Sequence, residues 1–369
     1  MICFISLVLV ATSTAFASDA GQAPTAVRGA IYVPYEVYNA PQMWRNFSVS
    51  ETLRDFGYAK ELHLNALRIW ASYEYWQMEP RKFEASLNQM LDVAHAKGIQ
   101  VLFVLFENDG VPPTPENMWT TDPRKAYCIQ SPGKDIASTD HQEEWEKPRA
   151  FVQWFMKKYA NDDRLIGIEV MNEPGQNTIE FAKSMFTTAH SMHETVPLTI
   201  GAARLPMALE FLPIGENLIE FHQNFPPSLD LINKQIEEAM SAGKQAGVPV
   251  WLTEWQRLRP GGSGFGKQSL APAEAGIDYA SLAGDVRQFP IGNFFWSLMV
   301  KPAYLEGQRN KGTVNGLFWP DGSVVSLTDA RAIADDNSLQ LKERPVPSNF
   351  LDVSTSPQGE QSKDKKQAR

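Results

Sequence analysis

The stretch IGIEVMNEPG, residues 166–175, is an apolar, β-branched run that stops at Asn172-Glu173-Pro174-Gly175. A buried strand gains nothing by ending on a carboxylate held between an amide and a proline, because desolvating a charge is costly. Either the strand simply turns there, or the carboxylate is wanted at the mouth of a barrel. Runs of the same kind recur at 29–35, 66–71, 100–106, 165–171, 197–202, 218–222, 248–253 and 291–298. Most are apolar throughout rather than alternating, the mark of parallel strands covered on both faces.

Helical patterns fall between these runs. Ser48 and Glu51 form a capping box before a helix whose Leu53, Phe56, Ala59 and Leu62 share a face. Pro80 stands at a first helical position, and Gly98 follows as a stop. A stretch from 140 to 160 carries Pro148 as a kink or late start. Further helices are expected over 177–193, 229–246, 273–289 and 328–335. Eight strands with intervening helices predict a single-domain α/β fold, a (β/α)8 TIM barrel over 29–342. An open doubly wound sheet is the alternative, but no G-x-G-x-x-G or P-loop pattern follows any strand.

The 369 residues carry a formal net charge of −9, which argues against a nucleic-acid surface. Residues 2–10 are apolar but too short to span a bilayer, and Ala15-Phe16-Ala17 fits a cleavage site. We therefore expect a signal peptide over 1–17, a linker over 18–28, and a secreted or periplasmic protein free of the membrane after cleavage. Of the two cysteines, Cys3 would leave with the signal. Cys128 would then be a lone thiol, read as a buried small hydrophobe. The tail, 343–369, is poor in apolar residues and is expected to be disordered.

In a barrel, functional residues collect at the carboxyl ends of the strands. The fourth run ends on Asn172-Glu173 and the seventh on Thr253-Glu254-Trp255. The sixth carries His222, the eighth Trp296, and the second Arg68 inside an apolar run. Two glutamates across one mouth suit glycoside cleavage: one protonates the leaving oxygen, the other attacks the sugar carbon or activates water. A nearby Arg68 would keep one of them charged. Asn172 would contact the sugar 2-hydroxyl and Trp296 would stack on a sugar face. Trp255 would desolvate Glu254, and Trp76 with Tyr75 would wall a groove. Glu74 reads as a solvated side chain. Glu107 and Asp109 read as loop caps or sugar contacts, and no D-x-D-x-D-G loop supports a metal. The long segment 108–140 reads as a lid or binding wall.

Asn172-Glu173-Pro174 and Glu254, with LRIW, LTEW and FFWSL in order, resemble the clan A retaining glycoside hydrolases, most closely glycoside hydrolase family 5, the cellulase and mannanase family. The segment GLFWPDGSVVSLTDA, 316–330, is also similar to that clan, where such a turn precedes the last helix. The resemblance implies Glu173 as acid/base, Glu254 as nucleophile, Arg68 as the group that positions the nucleophile, Asn172 as the 2-hydroxyl contact and Trp296 as the platform. His222 matches the histidine after strand six. Two features depart from the family. The usual His-x-Tyr after strand six is His222-Gln223-Asn224, so no tyrosine hydroxyl is offered there, and strand three ends Glu107-Asn108-Asp109 instead of on a histidine.

The expectation is a secreted retaining β-glycosidase acting on a β-linked glucan or mannan, cut internally, with the carboxyl groups about 5–5.5 Å apart. It needs no cofactor or metal and is expected to be monomeric, with a carbohydrate as its partner. The alternatives are an exo-acting enzyme or transglycosylase of the same clan, and a carbohydrate-binding pseudoenzyme, for which the absent tyrosine is the best argument.

Overall fold

The structure is a computed structural model that describes residues 27–259, 276–347 and 350. The expected signal peptide, most of the linker, the glycine-rich loop 261–267 and most of the tail lie outside the described residues.

Eight strands form one sheet: β1 (Arg28–Ile31), β2 (Ala66–Trp70), β3 (Gln100–Glu107), β4 (Leu165–Asn172), β5 (Leu198–Gly201), β6 (Ile219–Asn224), β7 (Val250–Gln256) and β8 (Gly292–Phe295). Their order is β5-β4-β3-β2-β1-β8-β7-β6, and the paired neighbours are parallel. A parallel bridge from Ala202 to Phe221 joins the two ends, and the His222 N–H donates to the Ala202 carbonyl at 2.9 Å. The sheet is thus the expected (β/α)8 barrel.

Side chains divide by strand face. Ile31, Trp70, Leu102, Ile166, Leu218, Trp251 and Phe294 are among those that fill the barrel. The opposite faces meet the helices in a larger apolar shell. Both faces are therefore dry, which is why the runs read as continuous rather than alternating. Above the barrel's apolar plug sit Arg68, Glu169 and Glu220, all fully buried.

The helices follow local signals. Ser48 caps Val49–Glu61 by accepting from the Glu51 N–H. Leu53 does not share its buried face: it is 45% exposed, while Asp55 is fully buried. Asp55 accepts from Arg54 at 2.7 Å and from the Tyr32 hydroxyl at 3.1 Å, which satisfies a carboxylate where an apolar residue was expected. Pro148 lies in the first turn of Glu146–Tyr159, so it marks a late start, not a kink.

The domain also runs past 342. The Val324 N–H donates to the Lys342 carbonyl and the Arg344 N–H to the Val324 carbonyl, both at 2.8 Å. Arg344 lies over the Trp319 ring and Phe350 packs against it, giving this polar stretch a docking site that its composition does not advertise. Among the described residues, no helix is long and apolar enough to cross a membrane.

Candidate active site

Arg68 is the hub. Strand alternation on β2 turns it into the barrel with Ala66 and Trp70. Its Nε and one Nη reach the two Glu169 oxygens at 2.6 Å each, a bidentate pair. The same Nη donates to Asn172 Oδ1 at 2.7 Å, and the other donates to Glu254 Oε1 at 2.6 Å. Burial opposes this charge, but Glu169 and Glu254 overcome it and raise the Arg68 pKa. One cation thereby ties β2 to β4 and β7. Gly201 makes the room, because a Cβ there would stand 2.1 Å from Glu169 Oε1.

The strand that opened the question ends in a left-handed residue. Glu173 has φ +43°, a region that costs a non-glycine residue roughly 1–2 kcal/mol. Its N–H is held by the Gly201 carbonyl at 2.7 Å. This turn aims the carboxyl across the mouth, where Glu173 Oε1 lies 2.5 Å from His222 Nδ1. Burial lowers the His222 pKa to about 4, so the ring is neutral near pH 7. A neutral ring can accept from protonated Glu173 or donate to its ionised form, so the contact suits both states. His222 Nε2 has no partner among the described residues, which leaves the tautomer free to change.

Burial raises the Glu173 pKa against a hydrogen bond with Asp109 and the charge of Arg68. Asp109 is itself raised to about 7 by burial and by Glu173. Glu107 caps its loop as expected, accepting from the Asp109 N–H at 2.7 Å, and it also lines the cavity above the site. It is held well above the carboxylate range by burial and Asp109, and it accepts from Asn172 Nδ2 at 2.9 Å. Asn172 is thus fixed from both ends, with its oxygen on Arg68 and its amide on Glu107.

Glu254 faces Glu173. Burial raises its pKa, opposed by His222, Arg68 and the Asn224 amide. Asn224 Nδ2 donates to Glu254 Oε2 at 2.9 Å and so occupies the hydrogen-bonding role expected of a tyrosine. Asn224 is held in turn: Gln256 Nε2 donates to its oxygen at 2.9 Å, and Asn315 Nδ2 donates to Gln256 at 2.8 Å. Oxygens of Glu173 and Glu254 and a His222 nitrogen all lie within 4.8 Å of one another. The three could offer ligands to a divalent cation, but Glu254 already carries Arg68, whose charge repels a second cation.

A cavity of about 420 Å³ opens above these groups, a ligand-sized volume. Trp296 lines it, as expected, with Cys128, Asp109, Tyr304 and Gln308. Trp255 does not line it. Trp255 sits on the outer face of β7, 2% exposed, donating to Asn293 at 3.2 Å and packed edge-on against Tyr279. The register of β7 shifts between Leu252 and Trp255, and Glu254 takes the inward position. Trp76 is also displaced, packed against Phe151 and Trp154 in the shell. Glu74 is not solvated: it is 8% exposed and accepts from the Ser131 hydroxyl at 2.7 Å. Cys128 is half-buried and faces the cavity, which its reading as a core residue did not foresee. Asn224, Gln256, Tyr304 and Gln308 were not foreseen either. Only the His222-Gln223-Asn224 spacing offered a signal, since a residue two past His222 lies on the same strand face.

No family model and no curated protein matches the chain. Solved structures do. An endo-1,4-β-D-mannanase from Thermotoga petrophila RKU-1 has a TM-score of 0.53 at 14% identity, over 84% of this chain and 98% of that one. GH5_18 from Bifidobacterium longum subsp. longum ATCC 55813 has a TM-score of 0.56 at 13% identity, over 86% and 81%. The exo-β-1,4-mannosidase Op5Man5 from Opitutaceae bacterium strain TAV5 has a TM-score of 0.57 at 14% identity, over 83% of this chain and 58% of that one. At such identities the likeness establishes the barrel, and chemistry has to be argued from the site.

Proposed function

We propose that the protein is a retaining β-glycosidase, exported from the cell, that hydrolyses a β-linked mannan- or glucan-type glycan. The observation that carries this reading is the pair Glu173 and Glu254, with carboxyl oxygens within 4.8 Å. Oxygens that close fit the short carboxyl separation of retaining sites, roughly 5–5.5 Å, better than the roughly 6.5–9.5 Å that inversion needs for a water.

Glu254 is the nucleophile. Arg68 at 2.6 Å and Asn224 at 2.9 Å hold it as a carboxylate aimed into the cavity. Its oxygen bonds to the anomeric carbon as the bond to the leaving oxygen breaks, and the Glu173 proton goes to that oxygen. Glu173, now ionised, takes a proton from water while the water oxygen bonds to the anomeric carbon and displaces Glu254. The sugar leaves with its configuration retained. His222 keeps a hydrogen bond to Glu173 through this change of charge. Asn172, locked by Arg68 and Glu107, offers its amide edge to a 2-hydroxyl, and Trp296 supplies the platform. Asn224 also removes the main argument for a pseudoenzyme, because the nucleophile has its second hydrogen bond.

The mannanase and mannosidase among the structural neighbours support the β-mannosidic side of this reading. Proton NMR of the first-formed sugar should show the β-anomer, and Glu254→Ala should abolish turnover by at least about 10⁴-fold, about 5 kcal/mol. An α-anomer as the first product would exclude retention, and an active Glu254→Ala would remove the assignment.

A further inference from the structure

The long segment after β8 closes one side of this cavity. We propose that the protein releases single sugar residues from the non-reducing ends of its glycans, an inference that rests on the glycosidase reading of Glu173 and Glu254.

The chemistry fixes which side holds which sugar. The anomeric carbon lies against Glu254 and the leaving oxygen against Glu173. The sugar being released therefore extends over Trp296, toward Cys128 and Tyr304. The leaving group extends the other way, past the exposed Arg204 and past Gln223 and Gln235, which line the cavity beyond β5 and β6.

The Trp296 side is walled. Arg309 is 2% exposed and works as a clamp. Its Nε donates to the Ala303 carbonyl at 2.7 Å, and one Nη donates to the Pro123 carbonyl at 3.0 Å and to that of Ala126. Its guanidinium also lies 4.8 Å over the Tyr127 ring. The Cys128 N–H donates to the Tyr304 carbonyl at 3.1 Å. The segments after β3 and β8 are thus joined, and the join presents Tyr304, Leu305 and Gln308 to the cavity.

Tyr304 stands edge-on to Trp296, centroids 5.0 Å apart at 86°. It is 7% exposed, yet its hydroxyl has no partner among the described residues. A buried hydroxyl without a partner is costly, and a ligand hydroxyl would satisfy it. Beyond Tyr304 lies a recess of about 30 Å³, lined also by Trp70, whose indole N–H is likewise unpaired. That is far smaller than the 420 Å³ of the cavity beside it and leaves room for a few waters, not for a second ring. A terminal sugar does, with its far hydroxyl on Tyr304. On this inference release from chain ends replaces the internal cutting expected from long aromatic loops, because the loops after β3 and β8 are fastened together.

The test uses β-1,4-mannohexaose and cellohexaose labelled at the reducing end, with the purified full chain. The expected first products are free monosaccharide and a labelled pentasaccharide. First products shortened by two or more sugars, or a labelled monosaccharide, would overturn the inference and leave the glycosidase reading standing. Absence of cleavage of both hexasaccharides and of aryl β-mannoside and β-glucoside would remove the glycosidase reading and this inference with it. Tyr304→Phe should raise KM for the cleaved substrate about tenfold with kcat and Tm nearly unchanged. An unchanged KM would remove Tyr304 as the end stop. Arg309→Gln, checked for folding by circular dichroism, should let longer fragments appear among the first products.

Discussion

Asn224 shows how much one amide can decide. Its hydrogen bond to Glu254 favours the charged carboxylate, so its loss raises the pKa of Glu254. Asn224→Ala should therefore move the acid limb of the kcat/KM–pH profile to higher pH. It should also cost about 1.5–3 kcal/mol, the range for hydrogen bonds to charged groups, or about 10–100-fold in kcat. A pH–rate profile on an aryl glycoside measures both, and an unmoved acid limb would remove this role. Among the described residues the Asn224 oxygen is held by Gln256, which Asn315 fixes in turn, so its side chain has little freedom to compensate for a change in either.

At the level of the strand, two tryptophans separate packing from chemistry. Trp255→Ala should cost about 3–5 kcal/mol in stability, read by urea unfolding, because it empties the shell beside Tyr279 and Phe295. Trp296→Ala should leave stability nearly intact and lower kcat/KM by more than about tenfold, about 1.4 kcal/mol. The reverse pattern would exchange their places. The sequence could not separate them, since a shift of one residue turns a side chain to the other face and the register changes along β7. The eight strands were legible because both their faces are dry. Glu173, Glu254, Arg68, Asn172, His222 and Trp296 were legible because strand ends gather at one mouth. Glu74 was misread because Ser131, which satisfies it, lies 57 residues away. The Asn224-Gln256-Asn315 relay was invisible for the same reason, as its amides come from separate segments.

Across the whole molecule, buried acids make stability depend on pH. Burial raises the Glu74 pKa from 4.5 to about 7. The folded chain thus holds a proton that the unfolded chain releases near 4.5. The stability this contributes is complete below that pH and is lost as pH rises toward about 7, a change of about 3 kcal/mol. Glu74→Gln should flatten the decline in unfolding free energy between pH 5 and 8 by about that amount. Chemical denaturation across the range checks this, and parallel curves for the two proteins would count against it. The hub at Arg68 carries a different consequence. Arg68 precedes Glu169 by 101 residues and Glu254 by 186. At roughly 5–20 residues per second, the ribosome adds Glu254 about 10–40 s after Arg68. The guanidinium therefore has Glu169 to meet long before Glu254 exists, and the first half of the chain can settle its most demanding charge on its own. The site then belongs to the finished polypeptide alone: until the seventh strand is made, a nascent chain holds Arg68 and its first counterion but not the second carboxylate of the mouth.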